Sequence, residues 1–362
     1  MTRSFHMLVR NGWVRLAAVV AVLAGAVVAF LLRGPDWGLV ADAFEAVDWE
    51  WVAAAIGLNF LSVVARSLAW RTVIHQAMPS PHPGFSQVFS AFSVGLMANA
   101  VLPGRVGELA RVAVLVRHLP GRTGVWPTLV GSVFAHRVFD LVPVVILVVW
   151  VLATAKIPHW AITSLVVVLA IGTLLFLFAL LSARHHHRTR LDGLGTARRL
   201  LTMVGHGLGA MRRPTAAAAA ISFQSIGWLC QLLAVWTAMR AFAIDQDLPA
   251  AGLVLVLMNI ATIIPLWPGN VGLVQAAIAL PLVEYGIAYQ KGFAFGIGLQ
   301  AIEASVGIGF GLLFLGREGL SFAMLRRMPR AVEVDVEEEA EEREEDDLGP
   351  EAVEEASARA SG

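Results

Sequence analysis

Arg105, Glu108 and Arg111 recur at intervals of three just beyond Leu102-Pro103-Gly104. That spacing sets them along one side of a helix beginning at Gly107. A guanidinium beside a helix N-terminus, where backbone amides are unpaired, suits a phosphate. Glu108 fits two roles, neutralising an arginine between cycles or carrying a coupling proton. The plainer alternative is a structural ion pair at the mouth of a hairpin. Arg137 and Asp140, also three apart and next to His136, read as a mutual pair that makes a membrane crossing tolerable. Asn59, Ser62 and Arg66 mark one helical face, and Glu303 follows Gln300 by three residues in an apolar run. Glu303 calls for a partner, with an arginine of the first hairpin or of the span containing Arg137 as the candidate. Asn99 and Asn270 complete the candidate binding set with Arg105, Glu108, Arg111, Arg66, Arg137, Asp140 and Glu303.

These side chains matter because of where they sit. In 362 residues, 57% are apolar and 15% charged, against a usual apolar share of about 45–50%. A hydrocarbon layer of about 30 Å takes roughly 20 apolar residues per helix, and Leu16 to Leu32 and Trp160 to Ser182 are such runs. A soluble enzyme is excluded, and an ionisable residue at mid-depth costs at least ~2.5–3.5 kcal/mol, so each needs a partner or water.

The net charge of zero conceals a division. Glu333 to Glu355 holds 14 acids and only Arg343 as a base, which leaves 25 Lys and Arg against 13 Asp and Glu in residues 1–332, a charge of +12. A basic body suits anionic head groups or simply sets topology. The acidic tail, residues 331–362, reads as a disordered cytoplasmic extension. Cys230 is the single cysteine, so no intramolecular disulfide forms. His185, His186 and His187 lie among arginines and read as a solvated loop, and no metal, cofactor or nucleic-acid pattern is present.

Arginine-rich loops orient the spans. Arg3, Arg10 and Arg15 place the N-terminus inside, before an uncleaved first helix. The loop with Arg33, Asp36, Asp42, Glu45, Asp48 and Glu50 is outside, and a second span runs from about Trp51 to Trp70. If Phe85 to Leu102 crossed fully, Arg105, Arg111, Arg117 and Arg122 would be stranded outside. A re-entrant hairpin turning at Pro103 and Gly104 avoids this and implies a cavity. A span over Val125 to Ala153, another over Trp160 to Ser182, and a loop with seven arginines between Arg184 and Arg213 follow. Next come a span over Ala216 to Ala241, a second hairpin over Ala250 to Glu284, and a last span over Phe293 to Leu315. Both termini are then cytoplasmic, with six full spans and two re-entrant hairpins. Trp13, Trp37, Trp49, Trp51, Trp126 and Trp160 read as interfacial anchors.

Pro103-Gly104-Arg105-Val106-Gly107 returns as Pro268-Gly269-Asn270-Val271-Gly272, 165 residues later, and the same offset pairs Asn59 with Gln224 and Arg66 with Gln231. The halves, about 10–153 and 160–320, enter their hairpins from opposite sides, which is an inverted repeat. Binding sites in such proteins lie near the midplane, at broken helices. Pro103, Gly104, Gly107, Pro268, Gly269 and Gly272 are the turn residues, those of the second hairpin acting through shape and backbone dipoles.

Asn99 with Pro103-Gly104-Arg105-Val106-Gly107-Glu108 and Arg111, Arg137 and Asp140, Arg66 with Trp70 and Arg71, and the second Pro-Gly turn resemble the flippase-like family typified by the transmembrane region of lysylphosphatidylglycerol synthase. The likeness spans most of residues 10–320. It implies movement of a lipid or lipid-linked head group between leaflets of a cell membrane, and the clustered arginines here make it an anionic one. The aminoacyl transferase domain of bifunctional members has no counterpart after Arg330, so enzyme activity is not expected. Leu273, Val274 and Gln275 depart from the small or acidic residue usual after the second turn. The alternative function is a non-transporting scaffold or regulator acting through the acidic tail. An intramembrane lipid-modifying enzyme would need a nucleophile that the sequence does not display. The oligomeric state is not encoded in any pattern.

Overall fold

The computed structural model describes residues 35–78, 80–102, 106–119, 125–158, most of 161–177, 213–263 and 268–319. The expected first span, the arginine-rich loop with its three histidines, Pro103, Gly104, Arg105 and the acidic tail lie outside the described residues. Among those described, every regular element is helical. They are α1 (Trp37–Glu45), α2 (Trp49–Ala77), α3 (Phe85–Val101), α4 (Gly107–Val116), α5 (Val125–Thr154), α6 (Pro214–Ala241), α7 (Leu248–Ala261), α8 (Leu273–Val283) and α9 (Tyr289–Arg317). A shorter apolar helix covers Ala161–Leu174. Four helices, α2, α5, α6 and α9, are long and apolar enough to cross a membrane. The two other expected spans fall wholly or partly outside the described residues.

Local signals explain the boundaries. Asp36 accepts from the amides of Gly38 (2.9 Å) and Leu39 (3.4 Å), and Asp48 from that of Glu50 (2.9 Å), so the short acidic stretch read as a loop instead starts two helices. α1 is therefore a correction to the sequence reading, and α2 is longer at both ends than Trp51 to Trp70. Trp37 of α1 meets Phe293 of α9 edge-on (6.1 Å), and Phe44 meets Phe242 (5.3 Å). Pro214 opens α6, where its missing N–H costs nothing.

α2 and α6 form the central pair. Asp48 N donates to Ala241 O, Trp51 packs on Trp236, and Ser62 Oγ donates to Gly227 O (2.8 Å), a succession that makes the two helices antiparallel. α5 runs parallel to α6, since His136 meets Gln224 and Asp140 meets Trp228. α3 and α4 fold back on each other as a helical hairpin. Asn99 Oδ1 accepts from Gly107 N (2.8 Å), and a Cβ on Gly95 would lie 3.0 Å from that of Arg111. α7 and α8 pack likewise, and the Pro268–Asn270 turn between them rests against α3. Helix starts at 49, 85, 107 and 125 are answered by starts at 214, 248, 273 and 289, separations of 165, 163, 166 and 164 residues.

Glycine sets the closest approaches. A side chain at Gly107 would run into Gly95 O and Asn99, and one at Gly227 into Arg66 Cγ at 2.9 Å. Without a hydrophobic drive between helices in lipid, such close contact is what holds them. Gly107→Val should force α4 off α3 and lower stability by roughly 1–3 kcal/mol, the range for overpacking. Thermal unfolding in detergent, followed by size-exclusion chromatography, reads this. An unchanged melting temperature would show that the hairpin has slack.

Candidate functional site

Five helices deliver ionisable or amide side chains to one continuous chain of contacts. From α4, Glu108 pairs with Arg111 (2.5 Å) on its own helix and accepts a hydrogen bond from Arg137 of α5. Arg137 also donates to Asp140 Oδ2 one turn on (3.2 Å). The other oxygen of Asp140 accepts from the indole N–H of Trp228 on α6 (2.9 Å). Arg66 of α2 lies over the Trp228 ring, 4.8 Å from its centroid, and donates to Gln231 Oε1 (2.6 Å). Gln231 then donates to Glu303 Oε1 of α9 (3.2 Å).

Three arginines and three carboxylates thus balance within this described network. The balance is what low dielectric demands, since an unpaired buried charge costs several kcal/mol. Aromatic faces supply the rest. Arg111, almost fully buried, stacks over Trp70 (4.7 Å) and Phe92 (5.5 Å), and the Trp70 indole is held by Ser132 Oγ (3.1 Å). Cation–π contact strengthens as water is removed. Arg137 differs from its neighbours, with 52% of its side chain exposed. It is the most exposed of the three arginines, against 4% for the side chain of Arg111.

The second hairpin presents amides instead of charges. Gly269 (φ 68°), Asn270 (φ 44°) and Gly272 (φ 92°) occupy left-handed backbone, which explains the glycines. Asn270 donates to Ala261 O (2.8 Å), closing the turn onto the end of α7. Gln275 accepts from Gly272 N (2.6 Å) and donates to Gln300 Oε1 (2.5 Å), while Gln300 donates to Gly269 O. Gln275 therefore ties the second turn to α9.

Of the residues singled out by sequence, Glu108, Arg111, Arg137, Asp140, Arg66 and Glu303 come together in one network. Asn99 and Asn270 are engaged in fixing their hairpins. Arg105 lies outside the described residues, as do Pro103 and Gly104, and Pro268 begins the second turn. The candidate partner for Glu303 is corrected. It is Gln231, with Arg66 of α2 behind it, because α9 meets the α2–α6 pair at that level. Trp228 escaped sequence reading, although its position in mid-helix, away from either interface, was a signal. Gln224 is fully buried and donates to His136 O (3.4 Å). Among the described residues no group of His, Cys, Asp and Glu has the makings of a metal site.

Apolar spanning helices around a buried ionic chain define a multi-pass membrane protein. The chain belongs to the family described as Lysylphosphatidylglycerol synthase TM region, whose model matches residues 14–311. No curated protein and no solved structure matches it.

Glu108→Gln removes the carboxylate shared by Arg111 and Arg137. Stability should fall by about 3–5 kcal/mol, the usual result of breaking a buried pair from one side. Arg137→Gln breaks the same pair from the other side and leaves buried Asp140 without its cation, so it should cost a comparable amount. Melting temperatures in detergent check both variants, and an unchanged value for either would contradict the pairing.

Proposed function

We propose that this protein moves an anionic lipid, or a lipid-linked head group, between membrane leaflets without chemically altering it. The observation that carries the reading is the unbroken chain of polar contacts from α4 to α9, placed on a helical hairpin and on four helices of membrane-spanning length. Exposed Arg137 receives the phosphate, Arg66 and Arg111 hold the positive potential behind it, and Glu108, Asp140 and Glu303 balance charge when the head group has left. Arg105, two residues before Gly107 in the sequence, is a further candidate for the phosphate.

The hairpins are re-entrant in this reading. At about 1.5 Å per residue, α4 with 10 residues and α8 with 11 reach only about half of a ~30 Å core. The repeated helix starts and the antiparallel α2–α6 pair support an inverted repeat. Its axis passes near the Ser62–Gly227 contact, whose members are 165 residues apart. Both termini face the cytoplasm of a cell membrane.

Two experiments test this. In proteoliposomes containing a fluorescent phosphatidylglycerol, Arg137→Gln should slow leaflet transfer by about tenfold or more, the value of one charge-assisted hydrogen bond. Transfer at the normal rate would remove the site. In a variant lacking Cys230, a cysteine at His118 should react from the cytoplasmic side and one at Asp247 from the opposite side. Labelling of both from one side would defeat the inverted arrangement.

A further inference from the structure

A groove of about 250 Å3 runs between α5 and α6, lined by Pro143, Ile146, Trp150, Trp228, Leu229 and Leu232. Its walls are largely apolar, with Ser225 the one hydroxyl among the lining residues, and the Trp228 indole N–H is turned away onto Asp140. A polar occupant would lose its hydrogen bonds there. Ile146 and Leu229 on its rim are 63% and 54% exposed, on two helices long enough to span, so the open side faces hydrocarbon. Pro143 contributes to the shape of the groove, since a proline within a helix deletes a backbone bond and bends the axis.

What gives the groove direction is Trp228. One part of its side chain lines the groove, while its ring lies under Arg66 and its N–H binds Asp140. Along α5, Asp140 and Arg137 precede Pro143 by three and six residues, roughly 4.5 and 9 Å of axial rise. Apolar seat and ionic chain therefore join end to end, in the order hydrocarbon, indole, charge. Arg66 Nε is buried with no hydrogen-bond partner among the described residues, a donor at the junction. That sequence of environments matches an ester-linked lipid, whose chains meet its phosphate within a few bonds.

We propose that the α5–α6 groove seats one acyl chain of a phospholipid while its phosphate engages Arg137 and Arg66 across Trp228. The proposal rests on the translocation reading and adds the entry side and the tail site. The head group crosses through the ionic chain while the tail stays in the bilayer, held at the mouth of the route.

The test uses the full chain in proteoliposomes with a trace of phosphatidylglycerol carrying a diazirine midway along one acyl chain. After irradiation, peptide mapping by mass spectrometry should find label concentrated between Ile146 and Trp150 and between Leu229 and Leu232. Leu313 on α9, 55% exposed, reports ordinary lipid contact. Leu229→Trp fills the groove from an exposed position, and so does Ile146→Trp. Each should cut groove labelling and long-chain transfer by about tenfold, the factor from unseating roughly two methylenes. Binding of a water-soluble, short-chain phosphatidylglycerol should be unaffected. Label at the groove no stronger than at Leu313, or filled variants that transfer normally, would overturn the seat. Its failure is separable from that of translocation. If Arg137→Gln stops transfer but label is even, only the seat fails. If that variant transfers normally while label stays concentrated in the groove, the seat stands and the route does not.

Discussion

Glu108 is a single carboxylate serving two arginines, and the positions of three helices follow from it. Neither Arg111 nor Arg137 can be left alone beside hydrocarbon, so α4 and α5 are held at ion-pair distance. Because α4 is the return arm of a hairpin, holding it also holds α3, which closes on α4 at Gly95 and Gly107 with no room for a side chain. α9 then packs onto α3 in the same way, where a Cβ on Gly311 would strike Met97. An electrostatic requirement at one point thus becomes a packing requirement across the bundle.

Two tryptophans solve the burial of two arginines by the same means. Trp70 beneath Arg111 and Trp228 beneath Arg66 each offer an aromatic face to a guanidinium and an N–H to a polar partner, Ser132 or Asp140. The indole stands between charge and lipid and leaves no polar atom of its own unsatisfied. The charged centre can then persist among helices that are otherwise apolar. Exposed Arg137 is where that centre opens.

Much of this was legible residue by residue. The limits of α5 agree with the apolar run from Val125 to Ala153, because nothing ionisable interrupts it except the His136–Asp140 group. The Pro-Gly pentapeptide located the second turn, since proline ends a helix and glycine readily adopts the positive φ found at Gly269 and Gly272. α1 was missed because a cluster of acids reads as a loop, whereas Asp36 and Asp48 act as caps. The partner of Glu303 was missed for a different reason. α2, α6 and α9 are apolar on nearly every side, so no stripe reveals which face turns inward.

Composition and order alone settled that the chain lives in a bilayer, where it breaks, and that its internal charges must be matched, because each follows from transfer out of water and from backbone sterics. Spacing of three already paired Arg137 with Asp140 and Glu108 with Arg111, whereas which polar group meets which across helices was left to the folded state. Rotation of each helix about its axis and its sliding against a neighbour are set by glycine contacts between residues far apart in the chain, such as Gly227 with Arg66 and Gly107 with Gly95. Those contacts bring Asp140 to Trp228 and Gln231 to Glu303, and no local pattern encodes them.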